Sequence, residues 1–388
     1  MSKAHKICHI SILHKPFDPR IFYRECYSLN IAGYETHLII PLIKNSTEIK
    51  NGIILHNNRD QSKETSAINL AERLSRLWCS LKISRSINAD LYHLHDPELI
   101  PVGLLLKLFN KKIIFDSHEN NTAYIMQKAH IPFLFRHLLK IYLTIIEFLA
   151  AKFFDEIITA DNGVKELFIE RYHANEAQVI HNFPRLDLFT SSSALPVNER
   201  LYDIVYHGSI PKSHLETAFA IDDILRERKL AARWLFFGAC SHVSWALGEI
   251  KKRGIEKSFV IDPHLIPADQ VVDRVCQAKI GFIPLPDLPK FHDNIPSKLF
   301  EFMALGLPVV MSDLPPSRPF VGDGSGVIMV PPGDYEAYAN AIISLLSDPA
   351  LYAKKAAQGV EKVNSNFSWH RESIKLINLY ERILQKVL

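Results

Sequence analysis

Short apolar, β-rich runs of four to seven residues alternate with longer stretches of helical period along most of this chain, and that alternation limits its fold more than any other feature. In the first half strands are expected at 7–13, 36–40, 53–56, 91–94, 112–115, 156–159 and 178–180. Helical period fills most gaps between them, at 21–32, 67–85, 98–109 and 133–151. Strand–helix–strand alternation of this kind predicts parallel sheets covered by helices on both faces. The pattern pauses at 183–200, where Ser, Pro and Asn cluster around a Ser191–Ser193 run, and this reads as a linker. It then restarts, with strands at 203–207, 233–237, 258–261, 280–284 and 308–311 and helices at 215–228, 241–253, 268–278 and 296–305. The expectation is an α/β chain of two doubly wound, Rossmann-like domains, 1–187 and 200–369, facing across a cleft. The helix at 370–388 is expected to pack back on the first domain. Ligands of such sheets bind where loops leave the carboxyl ends of strands.

Composition narrows the function classes. With 388 residues, 47% hydrophobic and 22% charged, the chain is neither disordered nor fibrous. Its 45 Lys and Arg against 42 Asp and Glu leave a net charge of +3, too little to imply a nucleic-acid partner. The five cysteines stand far apart without a C-x-x-C pair, which argues against a disulfide scaffold or a structural zinc site. The N-terminus lacks the long apolar stretch of a signal peptide, and the most apolar segment, 131–154, carries Arg136, Lys140, Glu147 and Lys152. A cytoplasmic protein, soluble or peripherally attached to the inner face of a membrane, is expected. The 131–154 helix is read as either buried against the sheet or lying on a membrane surface, with burial preferred.

The segment KFHDNIPSKLFEFMALGLPVVMSD, from Lys290 to Asp313, carries the most chemistry. Pro296 suits a first helical position and Gly306 the residue past a helix end, so a short helix should enter from a loop and offer its N-terminus to an anion. Lys298 and Glu301, three apart, share a face: one for a phosphate, the other for two vicinal ribose hydroxyls. The alternative is an ordinary surface ion pair.

This segment resembles the E-x7-E region of the retaining GT-B glycosyltransferases of family 4, with Asp293 and Glu301 as the two acids. Further segments extend the resemblance along nearly the whole chain: HKPFDPRIFYRECYSLNIAGYETHL, DLYHLHDPELIP, IIFDSHE, VIHNFPRLDLF, IVYHGSI and NFSWHRESIKLINLYERIL. It implies transfer of a sugar from a nucleotide diphosphate sugar, UDP- or GDP-linked, with no further cofactor. Glu301 would hold the ribose and Asp293 the donor sugar. The backbone through Asn294, Ile295, Ser297, Lys298 and Leu299 would follow the diphosphate. Gly208 would open a second phosphate loop, in which Ser209 replaces the usual arginine and Lys212 is the nearest base. His118, after the strand at 112–115, would face the transferred sugar and acceptor; the alternative is a helix-capping histidine near Glu119.

Three further first-domain residues are candidates for the acceptor. The loop after the first strand has two prolines and no glycine and should present Asp18 and Arg20, Arg20 suiting a phosphate or carboxylate. An Asp–Arg pair that fixes the turn is the alternative. His93 and His95 share a strand face before Asp96, with His95 nearest the cleft. Their H-x-H spacing invites a metal, but a site would need a third and a fourth ligand and the wider two-metal pattern is incomplete, so a packed pair and no metal site are expected. The resemblance implies a saccharide or a lipid-linked saccharide as acceptor, in surface polysaccharide or glycolipid assembly.

No carboxylate in these motifs stands out as a nucleophile, although retention by analogy with hydrolases would call for one. The resemblance implies front-face attack assisted by the leaving diphosphate, and the absence of a D-x-D triplet fits stabilisation of that group without metal. Two rivals remain: an epimerase or phosphorylase of the same architecture, and a catalytically silent partner.

Overall fold

The computed structural model describes residues 4–42, 48–59, 69–128, 131–189, 196–264, 266, 268–322 and 324–385. It divides into two units, Met1–Asn182 with His370–Leu388, and Phe183–Trp369. The Ser191–Ser193 run, and residues 67 and 68 of the helix expected from 67, lie outside the described residues.

The strands of the first unit are β1 (Lys6–Ile10), β2 (Glu35–Ile40), β3 (Glu48–Lys50), β4 (Ile53–Asn57), β5 (Leu91–Leu94), β6 (Lys112–Ser117), β7 (Glu156–Thr159) and β8 (Gln178–Val179). They form one sheet in the order β3-β4-β2-β1-β5-β6-β7-β8. Every pairing is parallel except that of β3 with β4, an antiparallel edge hairpin whose exposed residues carry too little apolar pattern to be read in advance. The chain reverses its winding between β1 and β5, so the loops at 11–14 and 95–97 flank the crevice at that switch point.

Local chemistry sets the helices of this unit. The helix α1 (Tyr27–Ile31) is preceded by a widened helical segment, Pro19–Cys26, instead of forming one continuous helix from 21. Asp18 causes this: its Oδ1 accepts from the backbone N–H groups of Arg20 and Ile21, and its carbonyl accepts from Tyr23 five residues on. The helix α2 (Leu70–Ile87) starts where Asn69 caps Glu72 N–H and ends at Asn88 in the left-handed region. Then come α3 (Ile100–Lys107), α4 (Asn121–Met126), α5 (Phe133–Phe153) and α6 (Asn162–Glu170).

The expectation that the apolar 131–154 helix is buried is corrected. In α5 only Ile146, Glu147 and Ala150 are buried, while Phe133, Leu134, Phe135, Leu138, Ile141 and Ile145 all stand exposed. Helical period puts only one narrow stripe of a helix against the sheet, and apolar residues fill the other faces here too.

The second unit contains β9 (Tyr202–His207), α7 (Lys212–Glu227), β10 (Trp234–Phe237), α8 (Val243–Arg253), β11 (Phe259–Asp262), α9 (Ala268–Val275), β12 (Ala278–Ile283), α10 (Lys298–Ala304), β13 (Val309–Ser312), β14 (Val327–Val330), α11 (Tyr335–Ser347) and α12 (Pro349–Asn366). Its parallel sheet runs β11-β10-β9-β12-β13-β14, with the switch point between β9 and β12. One face packs around Phe302, Met303 and Phe183, the other around Trp234, Phe219 and Ile342. Each fully buried aromatic of this kind contributes roughly 2–3 kcal/mol. The last helix, α13 (Trp369–Gln385), buries Leu376, Leu379, Tyr380 and Ile383. Within the first unit its Arg382 reaches Glu156 at 2.6 Å, and Glu372 accepts from His181 N–H.

Candidate functional site

In the second unit the strand-end loops at the switch point are shaped by two glycines. Gly208 follows β9 with φ +103°, and Gly238 follows β10 with φ +125°. A Cβ on Gly238 would lie 2.1 Å from the Gly208 carbonyl oxygen, so the loops can approach this closely only without a side chain there. A Cβ on Gly208 would meet only the Lys298 Nζ, at 3.6 Å, so this glycine leaves bare backbone beside an ammonium.

Lys298 is the first residue of α10, and its Nζ sits 3.9 Å above the centre of the Tyr206 ring. Burial pushes this ammonium down to about 7, with the Glu301 carboxylate pulling the other way. The neighbouring His214 is buried with neither ring nitrogen hydrogen-bonded; burial and the charges of Lys298 and Lys290 hold it down to about 3. Glu301, one turn along α10, places Oε2 3.2 Å from His207 Nε2. The His207 ring is itself fixed, stacked on Phe237 and edge-on to Phe302. Lys298, Glu301 and the β9 loop therefore make one half-buried corner, lined by a cation, a carboxylate and a glycine backbone.

Lys212 is placed differently. It is exposed at the start of α7, paired with Glu216 at 3.3 Å and lying over the Trp245 ring. Ser209 is exposed, and its carbonyl accepts from the Tyr206 hydroxyl. Asp293, Asn294, Ile295 and Ser297 are half-buried on the segment leading into α10, and the Asn294 Oδ1 is buried without a hydrogen-bond partner.

Two expectations about this segment are corrected. The helix begins at Lys298 and not at Pro296; the Pro296 carbonyl accepts from Leu299 N–H and the Ser297 carbonyl from Phe300 N–H. Leu299 thus has its side chain in the core and its N–H already bonded, and offers a ligand neither. A helix of seven residues also has a weak axial dipole, which leaves Lys298 as the main positive element of this corner.

In the first unit Asp96, fully buried at the end of β5, accepts from Ser11 Oγ at 2.8 Å, Ile12 N–H at 2.7 Å and Leu13 N–H at 3.3 Å. This one carboxylate shapes the whole loop after β1. His118 is half-buried beside it, with Nε2 3.0 Å from Asp116 Oδ2 and 3.3 Å from His95 Nδ1. It does not cap a helix; Asn120 does that for α4.

The acceptor candidates are largely corrected. Arg20 is only 4% exposed: Nε and Nη2 donate to Asp116, and Nη1 donates to the Ile180 carbonyl and Asn182 Oδ1. Its charge is spent inside the unit. Asp18 caps the widened helical segment, so the two residues fix this region separately and not as a pair. His95 is buried, out of reach of a saccharide. Sequence spacing could not show this, because the groups enclosing it lie on β1, the 19–26 segment and β6.

Residues 202–348 match the glycosyl transferases group 1 family. A stretch of 85 residues is 36% identical to the phosphatidyl-myo-inositol mannosyltransferase of Mycobacterium leprae, and 35% identical to that of Mycolicibacterium smegmatis. That stretch is 22% of this chain, and the chain spans about a fifth of the length of these curated relatives. Among solved structures, sucrose-phosphate synthase of Thermosynechococcus elongatus superposes with TM-score 0.75 at 17% identity, covering 99% of this chain and 100% of that one. A glycosyltransferase from Rickettsia africae gives 0.71 at 15%, over 99% and 100%. Anabaena Alr3699/HepE in complex with UDP-glucose gives 0.69 at 14%, over 97% and 99%. The fold is therefore GT-B, and the part of the chain that matches the group 1 glycosyl transferases lies within its second unit.

Proposed function

We propose that the chain is a retaining glycosyltransferase that moves a sugar from a UDP- or GDP-linked donor to a saccharide or lipid-linked acceptor, in surface polysaccharide or glycolipid assembly. One observation carries the reading: Lys298 and Glu301 project from one turn of α10 beside the bare Gly208 backbone, at the switch point of the second sheet. A carboxylate there accepts two hydrogen bonds from ribose hydroxyls, and the ammonium and loop backbone balance a diphosphate. Asp293 and the backbone at 294–298 take the sugar and the rest of the diphosphate, and Lys212 stands by as a second base. His118 contributes hydrogen bonds to the transferred sugar.

In the reaction the bond between the sugar C1 and the diphosphate oxygen breaks, and an acceptor oxygen bonds to C1 from the same face. The acceptor proton passes to the departing diphosphate. The protein stabilises the charge that builds on that group, and Lys298 is the residue whose charge answers it.

A lipid-linked acceptor is favoured by α5. Its exposed surface combines large apolar side chains with Lys140 and Lys152, and its single acid, Glu147, is buried. That is the chemistry of a helix lying on an anionic lipid surface, as on the inner face of a cytoplasmic membrane. No helix of the described residues is long and apolar enough to cross a membrane.

The test is a transfer and hydrolysis screen of UDP-, GDP-, ADP- and TDP-sugars with wild type and Glu301→Ala. Turnover of one donor by wild type, reduced at least about tenfold in the variant, supports the reading. A donor that binds but is neither hydrolysed nor transferred points to a silent partner. Release of an altered sugar nucleotide without acceptor points to an epimerase.

A further inference from the structure

The first unit encloses a polar cluster that the reaction above does not use. His9 of β1, Glu25 of the 19–26 segment, and His93 and His95 of β5 are all buried, with one ligand-type atom from each lying within 4.8 Å of the others. His9 Nδ1, His93 Nδ1 and His95 Nε2 stand 3.8, 3.9 and 3.7 Å from Glu25 Oε2. His9 Nδ1 and His95 Nε2 are 2.9 Å apart.

Among the described residues no N–H or O–H donor reaches either Glu25 oxygen in hydrogen-bond geometry; Arg20 Nε lies 3.0 Å from Oε1, and the Asp116 carboxyl stands within reach to share a proton. Arg20 already forms its paired hydrogen bonds with Asp116, so one positive charge faces two buried carboxyl groups, and Glu25 must either share a proton with Asp116 or meet a further cation. Burying a carboxylate without hydrogen bonds is costly enough that it is ordinarily paired, protonated or bound to a metal. The imidazoles stand too far from it for hydrogen bonds. Two atoms bound to one tetrahedral cation at roughly 2.0–2.1 Å are separated by roughly 3.3–3.4 Å, so metal binding would draw the imidazoles a few tenths of an ångström toward Glu25 and part His9 from His95 by a similar amount.

We propose that His9, Glu25, His93 and His95 bind a divalent transition metal ion of the zinc type, in a closed N3O site that ties β1 and β5 to the 19–26 segment. The second shell is in place. His95 turns its other nitrogen, Nδ1, to Asp116 Oδ2 at 3.4 Å, and His9 turns Nε2 to the Tyr380 hydroxyl at 3.2 Å. A carboxylate or hydroxyl behind a ligating imidazole fixes its tautomer and raises its basicity. Tyr380 also lies 2.7 Å from His93 Nδ1, and it must yield part of that contact when the metal binds. The reading of the H-x-H pair as metal-free followed from an incomplete two-metal pattern in the sequence; the fold brings His9 and Glu25 to the pair from two other elements.

The experiment uses the full chain, expressed with added zinc and desalted, and separately refolded with Co2+. Metal content is measured by mass spectrometry and the metal environment by X-ray absorption. About one equivalent per chain with a first shell of three imidazole nitrogens and one carboxylate oxygen is expected, and Glu25→Gln and His93→Gln should weaken binding at least about tenfold. His37→Gln, which alters the separate His37–His56 pair, should keep the metal. A folded wild type that retains under about 0.1 equivalent of either metal overturns the proposal. So does metal retained by Glu25→Gln and His93→Gln, or a first shell other than three nitrogens and one oxygen. If both variants fail to fold, the absorption spectrum of the wild type alone decides.

Discussion

The Glu301 carboxylate lies 3.2 Å from His207 Nε2, across the end of β9 from the helix that carries it. His207 is held between Phe237 and Phe302, and this close contact, which lacks hydrogen-bond geometry, sets the carboxylate against a fixed ring beside the glycine loop. A carboxylate held before the ligand arrives loses less conformational freedom on binding it.

Lys298 gives the donor site a pH dependence of definite sign. Its folded-state value, about 7, is set by burial against the opposing Glu301, with the Tyr206 ring and His214 also near it. A bound diphosphate favours the charged form, so binding takes up a proton. UDP affinity should fall as pH rises from 7 to 9, by up to about tenfold per unit, and Lys298→Met should flatten that fall. Calorimetry in buffers of different ionisation enthalpy measures the proton directly. In the unliganded protein the unfolded chain holds more protons than the fold between about 7 and 10.5, so this lysine makes stability rise with pH across that window.

The two loop glycines should separate function from folding. Gly238→Ala puts a Cβ 2.1 Å from the Gly208 carbonyl oxygen at a left-handed φ, and should cost about 3 kcal/mol or more. Gly208→Ala also carries a left-handed φ, of +103°, but its Cβ meets only the flexible end of Lys298, so its strain should be about 1–3 kcal/mol, below that of Gly238→Ala, while donor affinity drops. Thermal melts and donor titrations of both variants check the contrast.

Glu147 should destabilise the first unit as pH rises. It is buried, and burial raises it to about 7 even though Tyr172 Oη, Asn121 Nδ2 and the Arg171 charge favour its ionised form. The fold then holds more protons than the unfolded chain between about 4.5 and 7, and stability falls across that window. Glu147→Gln should remove up to about 3 kcal/mol of that slope, read from denaturant unfolding at pH 5 and 8.

The exposed face of α5 makes a separable prediction. Co-sedimentation with vesicles rich in anionic lipid should fall at least about fivefold in Leu138→Glu/Ile145→Glu, and binding of the nucleotide should not change. Equal sedimentation of wild type and variant would remove the membrane role.

The strand order of the two sheets does not follow from the chain's alternating pattern, and the edge strands β3 and β14 were not read at all. The parallel winding of both sheets does follow from the alternation of short apolar runs and helical stretches. The corner of Lys298 and Glu301 was legible for a related reason: both residues sit within one turn of one helix, and helical spacing is local. Arg20 was not. Its fate depends on Asp116 and Ile180, 96 and 160 residues away, and no local pattern registers such partners. The His93–Glu25 relationship was hidden in the same way, since the fold alone joins the two elements. The exposure of α5 went unread because composition reports how apolar a helix is, not how much of it a sheet can cover.

The central claim is that Glu301 holds a ribose. Titration calorimetry of UDP, GDP and their 2′-deoxy forms into wild type and Glu301→Ala tests it most directly. The account predicts that wild type prefers the ribonucleotide by about tenfold or more and that the variant binds both forms equally weakly. A wild type indifferent to the 2′-hydroxyl, or a variant that keeps the preference, would contradict it.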